Sequence, residues 1–213
     1  MEVWVAYRFL HQTDENQLEK QFALLPAHIT EPVYRYKNPA DRKGRMISRI
    51  LLETLIKKYF PYQGFSWDSY HKDSLSKPYF EESGIYFSSS HHEKMSVVCI
   101  TAERTCGIDS ELLKPVNPIL YADFLHPKEK DVIISSEDHE KSFYEIWTRK
   151  EAVLKASGLG ISCEMNSIDA HTDTVIVKGR SYYTVPLLLP GNLITHLATS
   201  EIITNFHLEE IIL

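Results

Sequence analysis

The chain has 213 residues, 43% of them hydrophobic and 24% charged, and a formal net charge of −6 at pH 7. This composition is ordinary for a globular protein and excludes disordered and fibrous classes, while the negative charge argues against general nucleic-acid binding. The longest apolar run, around 186–189, is far shorter than the ~20 residues that span a bilayer, so we expect no membrane contact. Because residues 1–10 alternate like a strand and show no basic and apolar leader, we expect no signal peptide and a cytosolic location.

The first half of the chain combines strand and helix patterns. The predicted elements are a strand over 1–10, a helix over 14–25, a polar connection over 28–39, a helix from 39 or 40 to about 59, a turn-rich loop over 60–78, and strands over 85–89 and 96–101 joined at 90–94. The second helix carries a basic cluster near its start: Arg35, Lys37, Arg42, Lys43, Arg45 and Arg49 against the single Asp41. This cluster suits a polyphosphate or an acidic protein partner, or is a solvated helix face.

The second half repeats the mixture of strands and helices. It holds a strand ending at 107–111, helical segments over 118–123, 127–135 and 139–157, and strands over 167–177, 182–189, 193–200 and 206–213. Strand, helix and strand groups thus occur on both sides of about residue 105. We therefore predict an α+β fold with two halves, 1–104 and 105–213.

The helix over 139–157 places a lysine where apolar residues are expected. At ~100° per residue, Lys150 falls inside a stripe of apolar side chains, Glu151 lies at its edge and Lys155 follows one turn later. Unpaired buried charge is costly, so we expect this charge to be used. The ordinary alternative for Glu151 and Lys155 is a helix salt bridge between residues four apart.

Two acidic residues lie two apart in the strand that ends at 107–111. Asp109 and Glu111 therefore point to the same face, and a third carboxylate from Glu151 would complete a Mg²⁺ site with hard oxygen ligands. The alternative is a solvated acidic strand end. His91 and His92 have no zinc-type spacing, so each is a phosphate contact or a surface histidine.

Cys99, Cys106 and Cys163 show no paired spacing, so we expect reduced thiols. The sequence contains no nucleophile elbow, no phosphate-cradling Gly-Lys-Ser loop and no dinucleotide glycine fingerprint. Several large enzyme classes are thereby excluded.

Four segments in order resemble the signature of the 4'-phosphopantetheinyl transferase superfamily. Residues 107–111 (GIDSE) fit its G-[VI]-D-x-E pattern, and 147–155 (WTRKEAVLK) fit W-[ST]-x-K-E-[AS]-x-x-K. Residues 77–79 (KPY) and 87–91 (FSSSH) resemble its Gly-Lys-Pro and N-x-S-H elements. The length is similar to that of the double-domain type that activates surfactin synthetase.

The resemblance implies a fold of two pseudo-symmetric α+β halves with the active site in the cleft between them. It implies transfer of 4'-phosphopantetheine from coenzyme A to a serine of an apo acyl or peptidyl carrier protein, with release of adenosine 3',5'-bisphosphate. It also implies Mg²⁺, with Mn²⁺ as a substitute, and a monomer that binds neither nucleic acid nor membrane.

The resemblance also implies roles for individual residues. Asp109, Glu111 and Glu151 would bind the metal, with Glu151 also a general base and Lys155 at the leaving phosphate. Lys150 would be a pyrophosphate neighbour or a structural partner of the acidic cluster. The nucleotide end would be held by Arg45, Lys77, Ser90 and His91.

Three positions depart from the family patterns. Ser76 replaces a glycine, Ser88 replaces an asparagine, and Ser110 replaces an aliphatic residue between the two acids. None of them removes a catalytic residue. A metal-dependent phosphohydrolase and a carrier-binding relative without catalysis are the two alternative functions.

Overall fold

The computed structural model describes residues 1–160 and 164–213. Its contacts divide the chain into two compact units, Met1–Ser74 with Pro78–Glu103 and Thr204–Leu213, and Leu75–Lys77 with Arg104–Ile203. Cys99 and Cys106 are buried and form no disulfide among the described residues, whereas Cys163 lies outside those residues. In the described part of the chain, no helix is both long and apolar enough to cross a membrane.

The first unit packs its helices on a four-stranded sheet. The strands β1 (Glu2–Phe9), β4 (Tyr86–His91), β5 (Met95–Thr101) and β10 (Asn205–Glu210) lie in the order β10-β1-β5-β4, and β10 is parallel to β1. A separate pair is formed by β2 (Tyr70–Lys72) and β3 (Pro78–Phe80). The helices are α1 (Glu15–Phe22), α2 (Ala27–Tyr34) and α3 (Pro39–Tyr59).

Helix α3 begins and ends as its sequence predicts. The side chain of Asn38 accepts hydrogen bonds from the backbone N–H groups of Ala40 and Asp41, and Pro39 occupies the first helical position. Ile47, Leu51 and other apolar residues at helical spacing are fully buried in the core of this unit. The burial of this stripe fixes which face of α3 remains at the surface.

Two predictions for the first unit need correction. The prediction of a polar connection over 28–39 is wrong for most of that segment, because α2 spans Ala27–Tyr34. Pro32 removes one helical hydrogen bond, but Ile29 and Val33, four residues apart, are both buried and hold the helix on the core. The strand predicted at 206–213 also pairs with β1 in this unit, rather than with the second half.

The second unit has an antiparallel sheet. Its strands β6 (Cys106–Leu112), β7 (Thr174–Val177), β8 (Arg180–Pro186) and β9 (Leu193–Thr199) lie in the order β6-β9-β8-β7. The helices are α4 (Pro127–Ser135) and α5 (His139–Ser157), and a 3-10 helix spans Pro118–Phe124. The strand predicted over 167–177 is shorter, because Met165–Ser167 forms a 3-10 turn and β7 begins at Thr174.

The two units share part of their internal topology. In each, a first strand (β1 or β6) is followed by helices and later by an antiparallel pair (β4 and β5, or β8 and β9), and the second strand of that pair is antiparallel to the first strand. A long helix, α3 or α5, packs on the sheet of its own unit. The predicted α+β class is confirmed, and each unit contains its own sheet and long helix.

Candidate functional site

Helix α5 lies unusually close to strand β6. A Cβ atom on Gly107 would lie 2.0 Å from the backbone oxygen of Ala152 and 2.5 Å from the backbone nitrogen of Ala156. Both distances are far below any real contact, so only glycine permits this approach. The glycine of the GIDSE segment thus lets the helix bring its polar edge against the acidic end of β6.

Lys155 and Asp109 form an ion pair at this contact. The Nζ atom of Lys155 donates to the Oδ1 atom of Asp109 at 2.7 Å and to the backbone oxygen of Ile108 at 3.0 Å. The Asp109 side chain is only 7% exposed, and that of Lys155 is 31% exposed. Lys155, which the sequence offers as a helix partner of Glu151, thus also bonds to the sheet through Asp109 and Ile108.

Two further carboxyl groups lie in the field of Asp109. Burial, followed by the charge of Asp109 and with a smaller contribution from Glu151, raises the pKa of Glu111 to about 7 against the opposing charges of Lys155 and Lys114. Burial, followed by the charge of Asp109, also raises the pKa of Glu151. The arrangement therefore concentrates negative charge that is poorly solvated, and a cation would stabilise it.

The described residues contain no group of three His, Cys, Asp or Glu side chains placed to hold a metal ion. As placed, the nearest cation to Asp109 is the ammonium group of Lys155. The donor chemistry nevertheless fits Mg²⁺, which prefers carboxylate oxygens. The set Asp109, Glu111 and Glu151 stays a prediction.

The serine between the two acids has a partner in the neighbouring strand. The hydroxyl groups of Ser110 and Thr195 lie 2.7 Å apart and both residues are buried. Ser110 and Thr195 face each other in the pairing of β6 with β9. This departure from an aliphatic residue is therefore compensated by a hydrogen bond, and the strand carrying Asp109 and Glu111 keeps its register.

Lys150 is buried in an ion pair, as the apolar stripe of α5 suggested. The side chains of Lys150 and Glu129 are both 0% exposed, and Nζ donates to the Glu129 Oε2 atom at 2.6 Å. Nζ also donates to the backbone oxygens of Phe124 and Met165, each at 3.0 Å. The predicted pyrophosphate contact does not fit this placement, because the Lys150 side chain is fully buried. The role is structural, but the observed partner is Glu129, which is not a member of the predicted acidic cluster.

His196 is a buried polar residue that sequence reasoning missed. It is the partner of Asp109 in the pairing of β6 with β9, and its Nδ1 atom lies 2.8 Å from the hydroxyl of Thr148 in α5. Burial, assisted by the charge of Arg149, lowers the pKa of His196 to about 3, so the ring is neutral at pH 7. Because the Thr148 hydroxyl donates to the backbone oxygen of Tyr144, both bonds form together only when Nδ1 carries the proton.

In the first unit, two of the predicted phosphate-binding residues share one partner. The Oδ1 atom of Asp41 accepts from the Nε2 atom of His91 at 2.7 Å and from the Nε atom of Arg45 at 3.1 Å. His91 lies at the end of β4, opposite Ser96 of β5, and not in the loop expected at 90–94. Ser90, one residue earlier, is buried in the same strand.

Arg45 also lines a cavity of about 400 Å³ in the first unit. Its guanidinium group lies 3.8 Å from the centre of the Tyr36 ring, and that of Arg49 lies 5.1 Å from the Tyr70 ring and donates to the Tyr70 hydroxyl. Cationic groups stacked on aromatic rings at a cavity wall suit a planar, anionic ligand. Sequence reasoning had singled out Arg45 but neither of the tyrosines.

Lys77 lies in the second unit at the carboxyl end of α5. Its Nζ atom donates to the backbone oxygen of Ala156 at 3.0 Å. Gly158 ends α5 in the left-handed region with a φ of 73°, next to the stem of the Lys77 side chain. The predicted contact of Lys77 with the nucleotide end stays a prediction.

The residue before Lys77 retains the backbone conformation of a glycine. Ser76 has a φ of 66°, in the left-handed region, where a side chain costs about 1–2 kcal/mol. Replacement by glycine restores a favourable conformation but increases the entropy of the unfolded chain by about 0.4–1 kcal/mol. We expect Ser76→Gly to raise the free energy of unfolding by about 0.5–1 kcal/mol, measured by urea denaturation. Ser74→Gly, where φ is not positive, should lower it slightly, and a loss of stability in both variants would contradict the prediction.

Comparison with known proteins shows which family the chain is similar to. Residues 105–193 match the model of the 4'-phosphopantetheinyl transferase superfamily. The chain is 31% identical over 156 residues to the 4'-phosphopantetheinyl transferase HetI of Nostoc, a match that covers 70% of this chain and 65% of HetI. It is 29% identical over 184 residues to the 4'-phosphopantetheinyl transferase gsp of Aneurinibacillus migulanus, covering 76% of each chain. The match thus spans about two thirds of HetI and three quarters of gsp. Asp109, Glu111, Glu151 and Lys155, which lie on β6 and α5, all fall within the residues that match the 4'-phosphopantetheinyl transferase superfamily.

Proposed function

We propose that this chain transfers 4'-phosphopantetheine from coenzyme A to a serine of an apo acyl or peptidyl carrier protein in an Mg²⁺-dependent reaction. The observation that carries the proposal is the ion pair of Lys155 with Asp109 beside two carboxyl groups of raised pKa, Glu111 and Glu151. Phosphoryl transfer needs cations and positioned carboxylates far more than covalent chemistry from the protein.

Asp109, Glu111 and Glu151 are the proposed metal ligands. Their oxygens are of the type that Mg²⁺ prefers, and burial and mutual repulsion make a cation favourable among them. When bound, the ion neutralises charge on the pyrophosphate of coenzyme A. Mn²⁺ fits the same oxygen ligands.

Glu151 is the proposed general base, acting on the carrier serine directly or through water. A base is most effective when its pKa lies near the working pH, and the pKa of Glu151 is raised toward that range. The serine oxygen attacks the phosphorus that carries the pantetheine arm, its proton passes to Glu151, and the bond to the adenosine 3',5'-bisphosphate leaving group breaks. Lys155, at the edge of the cluster, stabilises or protonates that leaving phosphate.

Arg45, Lys77, Ser90 and His91 are the proposed contacts of the nucleotide end. Arg45 and His91 lie side by side, because the Nε–H group of Arg45 and the Nε2–H group of His91 donate to the same oxygen of Asp41. An arginine and a histidine of this kind suit the 3'-phosphate of coenzyme A. The carrier class, the monomeric state and the cytosolic location stay predictions.

The proposal is tested by incubating the purified protein with coenzyme A, Mg²⁺ and a panel of apo carriers. Intact-mass measurement should show addition of phosphopantetheine to at least one carrier, and a chelator should abolish it. Breakdown of coenzyme A without a carrier would indicate a phosphohydrolase instead. Binding of carriers without transfer would indicate a binding protein that has lost catalysis.

Gly44→Ala should impair binding of the 3'-phosphate without unfolding the first unit. A Cβ at Gly44 would lie 3.0 Å from the Cδ2 atom of His91, so the ring must move. Because alanine is favoured over glycine in a helix by about 1 kcal/mol, the helix itself should not lose stability. We expect KM for coenzyme A to rise about 3- to 10-fold, roughly 1 kcal/mol, with KM for 3'-dephospho-coenzyme A unchanged. An equal rise in both KM values would show that the effect does not arise at the contact with the 3'-phosphate.

A further inference from the structure

Asp41 is an acidic residue in the basic cluster at the start of α3. Its Oδ1 atom accepts the hydrogen bonds from His91 at 2.7 Å and from Arg45 at 3.1 Å. A carboxylate beside a phosphate site would ordinarily weaken anion binding by repulsion. Its position between two proposed phosphate ligands therefore needs a physical explanation.

The geometry around Asp41 is constrained on several sides. Its backbone N–H donates to the Asn38 cap at 3.2 Å, which fixes the first turn of α3. The His91 ring lies against Gly44, and the Arg45 guanidinium group lies 3.8 Å from the centre of the Tyr36 ring. The two donors are thus held by packing on one side and by the Asp41 carboxylate on the other.

Asp41 is ionised at neutral pH. Burial by itself would raise its pKa, but the hydrogen bonds from His91 and Arg45 and their charges lower it below the usual value. An ionised carboxylate only accepts hydrogen bonds, so the Nε2 atom of His91 carries the proton in this contact. Asp41 therefore accepts the hydrogen bond of the Nε2 proton and fixes the orientation of the His91 ring, so that a phosphate would be bound through the other nitrogens of His91 and Arg45.

We propose that Asp41 is a positioning residue that holds Arg45 and His91 as a paired donor set for the 3'-phosphate of coenzyme A. Asp41 does not touch the reacting atoms; it orients the two side chains that do bind the phosphate. It thereby strengthens the preference for coenzyme A over 3'-dephospho-coenzyme A. This inference rests on the proposed function.

The positioning role and simple repulsion predict opposite changes in KM for coenzyme A when Asp41 is replaced. If only charge mattered, Asp41→Asn would remove a like charge and tighten binding of the 3'-phosphate. If Asp41 orients its partners, the amide, a weaker acceptor than a carboxylate, leaves both donors less ordered and binding weakens. The sign of the change in KM thus decides between them.

The experiment compares Asp41→Asn with wild-type protein in the transfer reaction, using coenzyme A and 3'-dephospho-coenzyme A. We expect KM for coenzyme A to rise about 5- to 10-fold, with kcat and the KM for the dephospho substrate unchanged. Glu53→Gln is the matched control, because Glu53 forms an ion pair with Lys57 four residues later on the same helix. It should leave all three constants unchanged.

Several outcomes overturn the inference. An unchanged or lower KM for coenzyme A in Asp41→Asn would do so, and so would an equal rise for both substrates. In a background of Arg45→Ala with His91→Ala, the effect of Asp41→Asn should vanish; a persistent effect would show that Asp41 does not act through these residues.

The inference fails separately from the proposed function. If the wild-type protein binds coenzyme A without transferring phosphopantetheine, the same comparison is made with dissociation constants from calorimetry, and the proposed function alone is contradicted. Wild-type protein that neither transfers nor binds coenzyme A contradicts both.

Discussion

Lys150→Met should lower the free energy of unfolding by about 3–5 kcal/mol, because it leaves the Glu129 carboxylate buried without its counter-charge. Both side chains are 0% exposed, and the Lys150 ammonium donates to Glu129 and to two backbone oxygens. The Glu129 carboxylate in turn accepts from the backbone N–H groups of His126 and Ala170, each at 2.8 Å. The pair therefore connects α4, α5 and the segment that follows Met165. Its removal should destabilise the whole second unit. Chemical denaturation followed by circular dichroism measures the effect.

Two further variants separate the effect of breaking the buried ion pair from the effect of losing a lysine on this helix. Lys150→Met combined with Glu129→Gln removes both charges, so the double variant should be more stable than Lys150→Met alone. Lys141→Met removes a lysine that is 54% exposed on the same helix, and we expect a change of at most about 0.5 kcal/mol. A loss below about 1 kcal/mol for Lys150→Met, or a double variant no more stable than the single one, would contradict the role of the pair.

The long helices could be predicted from the sequence because their signals are local. The helices predicted to begin at 39 or 40 and at 139 are α3 (Pro39–Tyr59) and α5 (His139–Ser157). In both, an Asn or Asp side chain caps the first turn and apolar residues recur at helical spacing. Capping and periodicity depend on residues within a few turns of one another, so sequence alone identifies these elements.

Elements that depend on distant partners could not be predicted in the same way. Strand β10 belongs to the first unit because it pairs with β1, about 200 residues earlier, and α2 persists through Pro32 because the core buries its apolar side chains. The buried charge of Lys150 was visible in the apolar stripe, but Glu129 was not identifiable as its partner. The placement of β10, the persistence of α2 and the partner of Lys150 all depend on contacts between residues that are distant in the sequence.

The candidate site shows the same difference between residues marked by local patterns and residues whose roles depend on distant contacts. Asp109, Glu111, Glu151 and Lys155 could be proposed from the sequence because short patterns contain them, and the structure brings Lys155 to Asp109. His196 and Asp41 were missed, since their roles depend on strand register and on a contact between α3 and β4. A histidine facing an acidic strand residue could have been found only with the β6–β9 pairing in hand.

Glu151→Gln and Asp109→Asn should each lower the transfer rate at least about 10³-fold, roughly 4 kcal/mol of transition-state stabilisation. Glutamine keeps the size of Glu151 but cannot take the proton of the carrier serine, and asparagine at position 109 removes the charge that pairs with Lys155. The rate is measured by intact mass of the carrier at saturating coenzyme A across a range of Mg²⁺ concentrations.

Stability should not fall with activity in Glu151→Gln. Because burial and the charge of Asp109 raise the pKa of Glu151, its ionised form is less favourable in the folded state than in the unfolded chain. Above the usual glutamate pKa this ionisation destabilises the fold, so the neutral glutamine should leave the free energy of unfolding unchanged or raise it at pH 8. Glu145→Gln, at a position 44% exposed on the same helix, should change neither rate nor stability. Normal turnover of folded Asp109→Asn at low Mg²⁺ would refute the metal assignment. Normal turnover of Glu151→Gln would refute its role as the base. If both variants lose transfer while remaining folded, the chemistry is located on β6 and α5.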